Sequence, residues 1–281
     1  MYLAGLSRCF IMYTTGERVI AVTKKVRVIQ SIQRAFDIIN CFDGVESSSL
    51  TLHDISERLD LNINTSRGIV NTLLVNGYLE HNIEKGNYSL GLVYLSKADL
   101  VNGSQMESIR SFSRPYLDEI AQKYEASARL QLVSNNNIFT VETVNPDGSH
   151  YIIFTKMYQA FPLYATASGK LFLHYLPKEQ RQALINRMDL KSFTKNTIVD
   201  KKVLLHELEA IGKRGYSTEN EEIGRGVSGI AVPITIFKDT LFGTISVTAF
   251  SSIVDGMPKE AIDDLYKAAN IIAKRVDPNK K

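Results

Sequence analysis

The residues best equipped for recognition chemistry lie between positions 50 and 90. Asn64, Arg67, Gly68 and Asn71 stand at i, i+3, i+4 and i+7, which lines them along one slim polar face of a helix. Amide and guanidinium groups so arranged can hydrogen-bond base edges or phosphates, and Thr51, Thr65 and Lys85 are near enough in the chain to join them.

The flanking pattern says what would hold that face. Thr51 followed by Asp54 is a helix-start signature, because the hydroxyl can cap an orphan N–H and the carboxylate suits the positive helix end. Leu52, Ile55 and Leu59 then recur at helical spacing, Asp60-Leu61-Asn62-Ile63 breaks the run, and a second helix begins near Asn64. On it Ser66, Ile69, Val70 and Leu73 make the inward stripe, and Gly77 is placed to end it. Tyr78-Leu79-Glu80 and Tyr88-Ser89-Leu90, flanking Lys85-Gly86-Asn87, read as a β-hairpin. Two short helices, a tight turn and a hairpin make a winged helix-turn-helix, whose second helix enters the DNA major groove. A small helical domain with an ordinary polar face would show much of the same pattern. The hairpin favours DNA and the charge opposes it. From Val26 to Ala98, six basic residues stand against eight acidic ones, a net of −2, whereas nucleic-acid modules are usually basic. A dimer reading two half-sites would need few phosphate contacts per subunit.

The chain's 281 residues and 44% hydrophobic content suffice for two cores, and a net charge of +3 names no partner. Cys9 and Cys41 are the two cysteines, so a disulfide framework is excluded and a reducing cytoplasm is the natural home. No apolar run approaches the roughly 18 residues of a membrane span. The five histidines lack metal-ligand spacing, so neither a metal nor another cofactor is expected. Residues 1–25 fit nothing that follows and read either as a flexible arm or as the product of an upstream start, with the true start near Met12 or later.

Ile29, Ile32, Phe36, Ile39 and Phe42 place a first helix over 30–43, and Leu92 to Val101 a short helix after the wing. Ile109, Phe112, Tyr116 and Ile120 trace an apolar line through a helical linker, with Pro115 opening its second segment. Such a line packs within the chain or forms a dimer seam. From Ala126 strands alternate at 128–134, 138–144 and 151–156, with turns at Asn135-Asn136-Asn137 and Pro146-Asp147-Gly148. Helices follow over 166–175, after Pro177 and over 201–214; strands return at 215–220, 228–237 and 241–250, and Pro258 opens a last helix. This is an α+β sensor-like pattern. Gly224-Arg225-Gly226-Val227-Ser228-Gly229 matches a dinucleotide fingerprint, but an apolar strand rather than a helix follows it, so the match is a decoy. Ala167-Ser168-Gly169-Lys170 lacks phosphate-loop spacing, and no nucleophilic triad or elbow appears, so no enzyme is expected.

The stretches SIQRAFDIINCF, LTLHDISERLDLNINTSRGIVNTLLVNGYLE, NYSLGLVYLS, SRPYLDEIAQKY, FPLYATASGKLFLHYLP, RGYSTENEE, GRGVSGIAVPI and ISVTAFSS together resemble the IclR-type family of bacterial transcriptional regulators, over roughly Val26 to Arg275. The resemblance implies a winged helix over 26–100, a linker helix over 101–124 and a GAF-like α+β effector domain over 125–277, with an extension before and a tail at 278–281. It also implies homodimers or homotetramers on a palindromic double-stranded operator, answering to a small carboxylate and repressing or activating transcription. The family's effector contacts fall here on Ala167, Ser168, Glu219, Gly229, Ser246 and Thr248. A helix start and hydroxyls suit a carboxylate, and Ser246 and Thr248, two apart on a strand, share a face. Some GAF-like domains reduce oxidised methionine through cysteines, and no cysteine follows Cys41. Glu219 stands where the family commonly has aspartate, Gly229 where it has cysteine, and Gly68 where it has arginine. The first change lengthens a side chain and the second empties space, so the cavity should differ in shape. A rival reading is a DNA-binding oligomer whose C-terminal domain serves only for assembly or protein interaction.

Overall fold

The computed structural model describes residues 28–42, 47–101, 103, 106–134, 137–148, 153, 162–237 and 239–277. The extension at 1–25, the tail, the turn residues Asn135-Asn136 and all but Ile153 of the strand expected at 151–156 lie outside them. The chain divides between Gly103 and Ser104 into two compact units.

The first unit holds α1 (Gln30–Asn40), β1 (Leu50–Thr51), α2 (Leu52–Arg58), α3 (Ile63–Val75), β2 (Leu79–Asn82), β3 (Asn87–Leu90) and α4 (Val93–Val101). Its core joins Ile38 and Phe42 of the first helix and its end to Leu50, Ile55, Val70, Leu73 and Leu79. The apolar line of α1 is split by this packing, with Ile32 51% and Phe36 56% exposed. Thr51 opens α2 with a full capping box: its Oγ1 accepts from Asp54 N at 3.2 Å, while Asp54 Oδ2 accepts from Thr51 N at 2.8 Å. Such a cap stabilises by about 0.5–2 kcal/mol. The Asp60 break has a left-handed φ of 50°, and Asn62 caps α3 through Asn64 N at 2.9 Å. At the far end Gly77, with φ 73°, donates to Leu74 O while Tyr78 N donates to Leu73 O, each at 2.9 Å. That paired closure needs a residue at ease in the left-handed region and aims the chain into β2. The hairpin gains a third strand the pattern did not suggest, in the order β1-β3-β2, with Leu50 opposite Tyr88.

The second unit comprises α5 (Glu107–Tyr124), β4 (Ser127–Ser134), β5 (Asn137–Val144), α6 (Ala167–Tyr175), α7 (Lys178–Arg187), α8 (Lys201–Arg214), β6 (Ser217–Asn220), β7 (Val227–Ile236), β8 (Thr240–Phe250), α9 (Ser251–Asp255) and α10 (Glu260–Val276). Its sheet runs β5-β4-β8-β7-β6, antiparallel throughout. Leu130, Ile230, Val232, Ile245 and Val247 form one face, packed with Leu117 and Ile120 of α5 and Leu265 and Ile272 of α10. On the other side α6 lies across β7 and β8, and Leu171 and Leu173 join Leu204, Leu208 and Ile211 of α8.

Two expectations about α5 meet different outcomes. Pro115 does not open a segment: a single helix passes through it. A proline there forgoes one hydrogen bond at a cost of about 3 kcal/mol, and burial of Ser113, Leu117 and Ile120 on both sides of it holds the helix together. Ile109, Phe112 and Tyr116 pack against this unit's own core, which makes the apolar line intramolecular packing.

A candidate nucleic-acid interface and a candidate ligand site

On α3, Asn64, Thr65, Arg67, Gly68 and Asn71 are exposed, while Ser66, Val70 and Leu73 are buried. The period-3.6 alternation thus delivers the polar face to solvent as one strip. Arg67 Nη1 donates to Asn64 Oδ1 at 3.3 Å, leaving most of its donor fork open. A Cβ built on Gly68 meets nothing within 4 Å, so no contact inside the chain requires glycine there. Thr51 is committed locally, since Oγ1 donates its proton to Asp54 Oδ2 at 2.7 Å. Those bonds hold the Asp54 carboxyl below its usual range, with the Thr51 hydroxyl the largest cause. Arg58 is a strut, donating to Cys41 O at 3.2 Å and Ser47 Oγ at 3.1 Å. Lys85 is exposed at the tip of the wing, where Asn82 organises the turn by accepting from Lys85 N at 3.1 Å and Gly86 N at 2.8 Å. His81 and Tyr88 stack at 4.6 Å across the wing and stiffen it.

The second site is built by strand register. Glu219, Gly229, Thr248 and Ser127 form one row across β6, β7, β8 and β4, and Ser217, Ala231, Ser246 and Arg129 form the next row but one. Thr244 stands opposite Gln131 a further two residues on. Side chains two apart share a face, so all these rows look toward α6. There Gln131 Oε1 accepts from Ser168 Oγ at 2.9 Å, from Thr244 Oγ1 at 3.0 Å and from Ser246 Oγ at 3.0 Å. Thr166 opens α6 by accepting from Gly169 N at 3.1 Å, which sets Ala167 and Ser168, both buried, in its first turn.

Glu219 is also buried, and its Oε1 accepts from Glu222 N at 2.6 Å and Ile223 N at 3.2 Å. Burial pushes its carboxyl up, against the pull of those two bonds. Glu222 carries a buried ion pair with Lys170 at 2.5 Å, and burial raises its carboxyl too. The loop that carries Glu222 is pinned by Thr194 and Thr197, whose hydroxyls donate to Glu221 O at 2.5 Å and Glu222 O at 2.6 Å. Gly229 does not leave the empty space its small size suggests. A Cβ there would stand 3.1 Å from Val247 O, 3.3 Å from Thr248 Oγ1 and 3.8 Å from Glu219 Oε2. The longer glutamate and the glycine are complementary, the one leaning over the other.

The site residues read from the sequence thus fall into two groups. Ser168 and Ser246 meet at Gln131 beside Ala167, while Glu219, Gly229 and Thr248 share a row. A cavity of about 100 Å³ opens at the end of this face, lined by Glu125, Ser127, Pro146, Ile153, Thr248, Ala249, Phe250 and Ile253. Of the effector residues read from the sequence, namely Ala167, Ser168, Glu219, Gly229, Ser246 and Thr248, Thr248 alone is in that lining. Sequence reasoning missed Arg129, Gln131, Lys170, Glu222 and Thr244. Strand alternation from Ser246 would have found Thr244, whereas Lys170 and Glu222 are 52 residues apart and meet only in the fold.

Family models match both units: "Bacterial transcriptional regulator IclR C-terminal" over residues 104–274 and "IclR helix-turn-helix domain" over residues 31–82. The chain is 30% identical over 225 residues to the glycerol operon regulatory protein of Streptomyces coelicolor, covering 79% of this chain and 85% of that one. It is 26% identical over 228 residues to the transcriptional regulator XynR of Escherichia coli, covering 81% and 89%. In fold it resembles the crystal structure of an IclR family transcriptional regulator from Brucella abortus, with a TM-score of 0.75, 18% identity and coverage of 89% and 93%. It also resembles an IclR homolog from Microbacterium hydrocarbonoxydans complexed with 4-hydroxybenzoate, with a TM-score of 0.61, 21% identity and coverage of 88% and 100%.

Proposed function

Since the chain belongs to the IclR family of transcriptional regulators, DNA-binding proteins rather than enzymes, we propose that a small hydroxylated organic acid controls its grip on an operator. The observation that carries this reading is a polar, buried sheet face between two apolar layers. Ser127, Arg129, Thr244, Ser246 and Glu219, with the half-buried Gln131 among them, have no place in a core that only needs to pack. Ser246 and Thr248 supply hydroxyls and Glu219 an acceptor for a ligand hydroxyl, since an ionised glutamate beside a bare anion would repel it. The 4-hydroxybenzoate held by the Microbacterium homolog is a carboxylate that also bears a hydroxyl. Asn64, Thr65, Arg67, Gly68 and Asn71 form the DNA-facing strip, with Lys85 reaching for the backbone and Thr51 setting the helix before it.

The working form is an oligomer on a two-fold operator. Ile29, Ile32 and Phe36 are exposed at i, i+3 and i+7 on and beside α1, and Leu92, Leu95 and Leu100 are exposed in and before α4. Apolar faces of that kind call for a partner, and a second copy would also double the few phosphate contacts. Sedimentation at micromolar concentration should give at least a dimer. A clean 31.5 kDa monomer that still binds its operator tightly would contradict this.

One observation favours the assembly-only reading: Gln131 already satisfies the hydroxyls of Ser168, Thr244 and Ser246 without a ligand. A thermal-shift screen of small acids separates the two. Under the effector reading at least one acid raises the melting temperature, and Ser246→Ala weakens it by up to about tenfold while ligand-free DNA binding stays intact. Binding of the acid by Ser246→Ala as tight as by wild type would remove Ser246 from the site.

A further inference from the structure

We infer that Arg129 is the charged anchor of this site, holding the carboxylate of a small monoanionic acid beside Ser246 and Thr248. The inference rests on the effector reading above and names the group that senses the ligand's charge. Arg129 is 4% exposed and lies opposite Ser246 on the face toward α6. Among the described residues its guanidinium makes one hydrogen bond, from Nη2 to Ile153 O at 3.2 Å, and no ion pair. Its Nε is buried with no partner, in a group that has five N–H donors to place. Burial alone pushes its pKa down to about 10, the mark of a cation without a counter-charge. Ser217 Oγ, in the same cross-strand row, is likewise buried and unpartnered.

Those unmet donors lie one same-face row from the available room, whose lining includes Glu125 but not Arg129 itself. Ile153, whose carbonyl receives Nη2, lines the 100 Å³ cavity, as do Ser127 and Thr248, the cross-strand pair beside Arg129 and Ser246. A carboxylate matches the planar fork of a guanidinium, accepting two parallel N–H bonds. A dianion does not suit the site. Among the described residues of this face Lys170 is already bound to Glu222, so Arg129 offers the one unpaired cation, and Glu125, Glu219 and Glu222 stand against a second negative charge.

The test uses lactate, gluconate and 4-hydroxybenzoate, each beside its primary amide, on the full chain by thermal shift and calorimetry. An acid that stabilises the wild type should bind Arg129→Gln roughly ten- to hundredfold more weakly, the range of a charge-assisted hydrogen bond. Its amide should bind the wild type comparably weakly, and Arg129→Lys should recover part of the loss. Ligand-free Arg129→Met should melt above the wild type, because it removes an uncompensated buried cation. An arginine that merely braced Ile153 would give a lower melting temperature instead. Equal affinity of an acid for wild type and Arg129→Gln would overturn the anchor and leave the effector reading standing. A wild type that none of the three acids stabilises would overturn both.

Discussion

Replacing Lys170 with methionine should destabilise the second unit by about 3–5 kcal/mol, the cost of breaking a buried ion pair by removing one partner. Lys170 is 1% exposed, and its ammonium meets Glu222, 6% exposed, whose Oε2 has no hydrogen-bond partner. Removing the cation leaves two buried carboxylates, Glu222 and Glu219, to face each other. The effect should depend on pH. Burial already pushes both carboxyls up, and the Lys170 charge is what opposes this at Glu222. An acid with a raised folded-state pKa holds its proton more tightly when folded, so it lowers stability as pH rises above the unfolded value of about 4.3. The deficit of Lys170→Met should therefore be largest near neutral pH and shrink as the pH falls toward 5. Adding Glu222→Gln should restore most of it. Urea unfolding at several pH values measures both effects, and a deficit independent of pH would contradict the assignment.

The second large effect is on DNA. Arg67 is the one charged side chain on the exposed strip of α3 and has an open donor fork. Arg67→Ala should weaken operator binding by about 1–3 kcal/mol, the worth of a good base contact, and relax discrimination at one base position. Gly68→Ala is the informative companion. The site has room for a methyl group, so the helix itself should gain about 0.5–1 kcal/mol. Weaker operator binding by so stabilised a variant would mean that α3 approaches the DNA more closely than a Cβ allows. Fluorescence anisotropy on the operator reads all of this, and unchanged binding by Arg67→Ala would remove it from the interface.

These residues also show where sequence reasoning reaches and where it stops. Local chemistry was legible: Thr51 with Asp54, the buried Ser66, Val70 and Leu73, and the closure at Gly77 follow from hydrogen-bond and periodicity rules acting over a few residues. β1 was not, because two residues carry no period. Pro115 misled because local propensity counts a lost hydrogen bond, while burial on both flanks belongs to tertiary packing. Gly229 misled for the same reason: its smallness is filled by Thr248 and Glu219 from neighbouring strands. Arg129 was hidden most deeply. Alternation puts it on a face, but only the assembled sheet reveals that no described residue there answers its charge.

Control of DNA affinity by a small acid is tested most directly by one measurement. A duplex selected by the full chain from a random pool serves as the operator, titrated at fixed salt with and without the acid that most raises the melting temperature. The coupling should change the dissociation constant by about 5–150-fold, and Arg129→Gln should abolish that change while binding the free duplex as before. An identical dissociation constant with and without a saturating acid would contradict the claim and leave a DNA-binding protein whose second unit serves assembly alone.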